Sequence, residues 1–296
     1  MAIAGSILET SGSATNQTSY STGTLNPSGS GLAVYACVVS DAATGTPDTP
    51  SIGGLGATWT QEKTQLSSNS AVRATLFRAS GSMSSGAITF DFGAQTQATC
   101  EWSVLQFTGV DTATADGIVQ SVSGSGGSNK TPTVTLAAFG DAANATVFFA
   151  GADRSTSWTV EGGYTTGGSS SHEDCTLGAE WLLANDTTPS GTWGDNSRWA
   201  AIGIEVKVST AVAPTPKSGS DTIAVGVSET GRAAVLIAHA DTIAVAVSDV
   251  SRGVVIGILA ADTIRPLLVE YGIFAQAPDR QARWYPVWLV DLTVSS

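Results

Sequence analysis

The chain has 296 residues, 42% of them hydrophobic and only 13% charged, with a formal net charge of −12. Its 13 basic residues are scattered, which opposes a nucleic-acid partner, because phosphate contacts need clustered Lys and Arg. No run of eighteen apolar residues is present to cross a membrane as a helix, and the opening Met1-Ala2-Ile3-Ala4-Gly5-Ser6 lacks the basic segment of a secretory signal, so neither membrane insertion nor signal-directed export is expected.

From about residue 20 to 208 the pattern is short apolar or alternating runs separated by Gly, Ser, Asn and Asp clusters, the signature of an all-β sandwich. Nine strands are predicted: 31–40, 59–65, 71–79, 86–92, 99–108, 131–136, 145–152, 177–184 and 199–207. Nine strands in this length suit a two-sheet jelly-roll or lectin-like sandwich. In 71–78 the alternation sets Val72, Ala74 and Leu76 on one face and Arg73, Thr75 and Phe77 on the other, a half-buried strand. In 199–207 Ile202, Ile204 and Val206 point inward, while Gly203, Glu205 and Lys207 point to solvent. The Ser/Gly tract 121–129 has nothing to bury and predicts a mobile loop.

Two prolines among small polar residues at 209–219 mark a linker, giving a sandwich domain over 1–208 and a small β-repeat domain over 220–296. That second region repeats itself. Asp221-Thr222-Ile223, Asp241-Thr242-Ile243 and Asp262-Thr263-Ile264 recur at spacings of 20 and 21 residues, with apolar runs at 233–238 and 253–259 between them. Each repeat predicts two strands and two turns, a unit that buries its apolar face only against neighbours. An array this short requires a partner chain, so Ile223, Val225, Ile243, Val245 and Ile264 are the expected assembly surface. Trp284, Tyr285 and Trp288 in the aromatic tail extend it, since aromatics are favoured interface anchors. The recurring Asp221, Asp241 and Asp262 lack the Gly-rich acidic spacing of calcium-binding β-rolls and read as turn caps.

Little in the sequence argues for chemistry, and neither catalytic residues, a metal nor a cofactor is expected. The chain has two histidines. His172-Glu173-Asp174-Cys175 holds ligand types, but adjacent strand residues point to opposite faces and do not converge on one ion. His239 reads as a turn residue. Glu101-Trp102 and Glu180-Trp181 are the carboxylates to weigh as a glycosidase pair; the simpler reading puts each indole in the core and each carboxylate in solvent. Trp158, Tyr164, Trp193 and Trp199 would stack on sugars if exposed, and fill a core otherwise. Cys37, Cys100 and Cys175 predict free thiols, a Cys100–Cys175 bridge being the alternative.

Four stretches carry a resemblance: Pro27-Ser28-Gly29-Ser30-Gly31 before an apolar strand, Gly56-Ala57-Thr58-Trp59, Ala74-Thr75-Leu76-Phe77-Arg78-Ala79, and Trp102 running into Phe107-Thr108-Gly109-Val110-Asp111-Thr112. Together they resemble a sandwich module of tailed-phage virion proteins and bacterial surface proteins, although the turn before the first strong strand lacks the module's acidic residue. The Asp-Thr-Ile repeats look like strand repeats of phage tail and appendage proteins. The resemblance implies a virion tail or decoration component, whose partners are copies of itself and other virion proteins. A carbohydrate-binding adhesin that takes a host surface glycan is the alternative.

Overall fold

The computed structural model describes residues 2–113 and 115–209, together with the strands 222–227, 234–238, 242–247, 254–260 and 263–269. It divides the chain into two compact units, Met1–Ala211 and Val212–Ser296, and more than half of the described residues are strand, an all-β sandwich.

In the first unit, strands β1 (Ala4–Ser13), β2 (Ser19–Ser21), β3 (Ala33–Ala42), β4 (Ser51–Gly54), β5 (Thr60–Leu66), β6 (Val72–Ser80), β7 (Ile88–Asp91) and β8 (Gln97–Thr108) build two sheets. The large sheet has the order β1-β8-β3-β6-β5, and the small sheet β2-β7-β4. Pairing 1-8-3-6 facing 2-7-4 is a jelly roll. Seven more strands follow: β9 (Ile118–Asn129), β10 (Ala145–Ala152), β11 (Trp158–Val160), β12 (Thr165–His172), β13 (Cys175–Leu182), β14 (Gly191–Trp193) and β15 (Ser197–Val206). They form a second large sheet, β12-β13-β10-β15-β9, and a second small one, β11-β14. Residues 130–136 lie along the other side of β14, through Trp193 N–H to Lys130 O, the Thr133–Ser190 bridge and Leu136 N–H to Thr187 O.

Position for position, the second set repeats the first. If β9 stands for β1, 130–136 for β2, and β10 to β15 for β3 to β8, both large sheets have the same order and both small sheets have the same neighbours. Each has a bulge at the same place, near the start of its fifth strand, between Gln61 and Lys63 and between Thr166 and Gly168. The unit is thus the all-β sandwich that was expected, built from two jelly-roll sets of strands in tandem.

The rolls pack through their large sheets: β1 lies over β12, β8 over β13, β6 over β15 and β5 over β9. That exchange of strand roles is an approximate two-fold relation, with β3 and β10 at its centre. Alternation explains why the sheets can be covered on both sides. In β3, Ala33, Tyr35, Cys37 and Val39 enter the core between the large sheets, while Val34, Ala36 and Val38 enter the core of the first roll. In β10, Ala145, Val147 and Phe149 face the same central core, and Phe148, Ala150 and Ala152 face the core of the second roll.

This layering corrects three expectations. Val72, Ala74 and Leu76 do face the centre, but Phe77 on the opposite face is 2% exposed because the small sheet covers it. Glu205 likewise faces inward-packed protein, where Gln120 and Asn144 side chains donate to its carboxylate. The tract 121–129 is not a loop but most of β9, paired along β15. Its glycines serve packing: a Cβ on Gly126 would stand 2.3 Å from the Trp199 ring.

Residues 109–117 join the rolls. Gly109 (φ 70°) could not carry a side chain, since a Cβ there would lie 2.1 Å from Ala2 O. Arg78 then ties the connector down, donating to Glu62 Oε2 and to Asp116 Oδ2, both at 2.7 Å.

In the second unit, β16 (Thr222–Val227) pairs with β18 (Thr242–Val247) parallel and in register, so that Thr222 faces Thr242 and Ile223 faces Ile243. β17 (Ala234–Ala238) pairs in parallel with β19 (Val254–Ala260). The first two repeats thus stack copy on copy. The third does not: β20 (Thr263–Val269) runs antiparallel to β19, with Pro266 opposite Gly257. Proline has no N–H to give a ladder, which suits it to a sheet edge rather than a continued stack.

Candidate functional site

The carboxylates weighed as a pair do not meet. Glu101 and Glu180 are both 0% exposed, contrary to the solvent-facing reading, but they point into different layers. On β8, Cys100, Trp102 and Val104 face the first roll's core, which turns Glu101 toward the seam between the large sheets. On β13, Leu177, Ala179 and Trp181 face that seam, which turns Glu180 outward into the second roll.

At the seam, Glu101 Oε1 lies 2.8 Å from His172 Nδ1, across from β12, while Glu101 Oε2 accepts no hydrogen bond from the described protein. Burial pushes the Glu101 carboxyl up; Ser170 and His172 pull it back down in part. Asp41 nearby is pushed up to about 6, by burial first and then by Asp174 and Asp153. Within His172-Glu173-Asp174-Cys175, His172 faces Cys175 across the β12–β13 turn, and Cys175 is buried in the central core. Among the described residues no three His, Cys, Asp or Glu side chains are grouped to hold a metal ion. All three cysteines are free and buried. Cys100 faces the first roll and Cys175 the seam, so the alternative bridge is absent, and burial pushes both thiols up.

In the second roll, Glu180 stands near Tyr164 and among Glu161, Ser190 and Asp186, which the sequence did not single out. Its Oε2 accepts the Glu161 N–H at 3.0 Å, and its Oε1 has no partner among the described residues. Glu161 Oε2 accepts the Ser190 N–H at 2.8 Å, and Glu161 O accepts the Tyr164 N–H at 3.1 Å. The Tyr164 hydroxyl donates to Asp186 Oδ2 at 2.9 Å. Burial pushes Glu180 up to about 8, with the Glu161 and Asp186 charges adding to the shift. Tyr164 is also pushed up, by burial and then by Asp186.

Of the aromatic residues weighed as sugar platforms, Trp193, Trp199 and Tyr164 are buried, and Trp158 is half-buried against the core of the second roll. Trp193 is 0% exposed, Trp199 6% and Tyr164 9%. Trp158 opposes Trp193 across β11–β14, with ring centroids 4.4 Å apart, and stacks on Phe148 at 6.3 Å. Its ring lies on Gly178 and Gly191, where any Cβ would collide with it. An open depression of about 350 Å³ lies between Gly29, Leu32, Gly81 and Met83 in the first roll; no charged or aromatic side chain lines it.

Of the expected assembly residues, Ile223 and Ile243 face each other in the β16–β18 ladder, as do Val225 and Val245, and Ile264 lies in β20 opposite Leu259. Trp284, Tyr285 and Trp288, like Asp221, Asp241, Asp262 and His239, lie outside the described residues. No protein-family model, curated protein or solved structure matches the chain.

Proposed function

We propose that the chain is a structural component of a tailed-phage virion, a tail or capsid-surface protein that works by assembly and display. The tandem of jelly rolls is the observation that supports this reading most. Glu101, Glu180 and Trp193 are packed inside it, an uncharged depression lies on the first roll, and such β bodies serve widely as capsid and surface modules. The repeat strands add to it: they stack identical residues in register, an arrangement that another copy of the chain can extend. Gold-labelled antibody against the chain, viewed on tailed particles purified from cultures that make it, tests the reading. Labelling at a fixed position on the particle is expected. A chain recovered only as free protein, with particles bare, would overturn it.

A further inference from the structure

The duplication makes each roll a reference for the other, and one substitution between them stands out. Ala36 on β3 opposes Phe77, and its counterpart Phe148 on β10 opposes Glu180. A phenyl ring that packs beneath the small sheet of the first roll is thus a carboxyl in the second, at 0% exposure. Packing alone would favour the ring.

Around that carboxyl runs a line of contacts from the large sheet to the outer layer. Glu180 receives the N–H of Glu161, just beyond β11, and Glu161 receives the N–H of Ser190, just before β14. Tyr164, at the start of β12, bonds Asp186; Asp186 N–H in turn bonds Thr146 Oγ1 on β10. The titratable groups that face Glu180 are Glu161 from the turn after β11, Tyr164 from the approach to β12, and Asp186 from the segment 183–190; β10 contributes the neutral Thr146. Among the described residues no Lys, Arg or His forms an ion pair with any of the three carboxylates.

We propose that Glu180, Glu161, Asp186 and Tyr164 form a proton-operated clasp, closed while Glu180 is protonated, which holds the end of β11 and the segment 183–190 against the second roll and releases them when Glu180 ionises. Ionisation places a buried negative charge beside two others with no cation to offset it, and outward movement of the outer layer, which lets water enter, relieves that repulsion. Since the folded carboxyl is raised to about 8 from an ordinary 4.5, closure is strongest below about pH 4.5, weakens as pH climbs, and has lost this contribution once pH passes about 8.

Hydrogen exchange on the full chain from pH 6 to 9.5, corrected for the intrinsic rate, tests this. Peptides over 157–166 and 183–193 are expected to lose protection by up to about tenfold per pH unit as pH climbs toward 8, one proton being released per opening, and to level off above it, where Glu180 is ionised in both states. Their counterparts in the first roll, 51–60 and 84–92, stay protected. Glu180→Gln keeps the acceptor for Glu161 N–H and cannot ionise, so protection should become independent of pH. Asp186→Asn removes one of the charges that push Glu180 up, and should move the midpoint to lower pH and shrink the total loss of protection. Flat protection of the wild-type segments across the range, or equal loss in both rolls, would overturn the proposal; so would an unmoved midpoint in Asp186→Asn, which serves if Glu180→Gln does not fold.

Discussion

Replacing Trp193 with alanine separates a core indole from a ligand-binding one. The side chain is 0% exposed, opposes Trp158 across the small sheet and belongs to the core built from Phe148, Trp199 and Val134. A buried indole removes up to about 250 Å² from water, roughly 6 kcal/mol at about 25 cal/mol per Å². Partial collapse of the cavity brings the expected loss to about 3–5 kcal/mol. That is a large part of a domain's total stability, typically about 5–15 kcal/mol. Urea unfolding followed by far-UV circular dichroism should show the midpoint fall with an unchanged slope, and thermal unfolding should move down by about 10 °C. A loss below about 1 kcal/mol, with the fold intact, would refute the assignment of Trp193 to the core.

A Cβ on Gly151 would lie 2.5 Å from Val39 Cγ1 at the centre of the two-fold packing. Gly151→Val is expected to cost about 1–3 kcal/mol through overpacking, and adding Val39→Ala should recover most of it; chemical denaturation of the double-mutant cycle reads the recovery. Arg78→Met removes the ion pair that fixes the connector at Asp116 and the one to Glu62 on β5, and should cost about 1–3 kcal/mol by the same assay. Because the folded Glu180 carboxyl is raised to about 8, its contribution is intact below about pH 4.5 and is lost as pH climbs toward 8. Global stability should therefore fall by up to about 1.4 kcal/mol per pH unit over that window, and Glu180→Gln should flatten the slope.

Strongly apolar strands were legible from the sequence: the run 145–152 was expected and found, and the inward set Ile202, Ile204 and Val206 lies in the central core. The duplication was not legible, because a β layer constrains polarity and volume at each position rather than identity. Along β3 and β10 the aligned residues agree only at Ala33 with Ala145 and Asp41 with Asp153; Cys37 answers to Phe149, and Val39 to Gly151, so bulk is traded across the seam. The covered outer faces escaped notice for a related reason. A run such as Arg73, Thr75 and Phe77 reads as solvent-facing until the small sheet is known to lie over it. The glycines of 121–129 read as disorder because their use, admitting the Trp199 ring and Val134, depends on residues far along the chain. Glu180 was visible, but not its partners Glu161 and Asp186, which reach it through a turn and a loop that carry no periodic signal.

The claim that the chain works by assembly is tested most directly by its mass in solution. Size-exclusion chromatography with light scattering on the full chain should give a multiple of 29.9 kDa, while a chain ending at residue 209 should run as a single copy. A full chain that stays at 29.9 kDa at every concentration would contradict it.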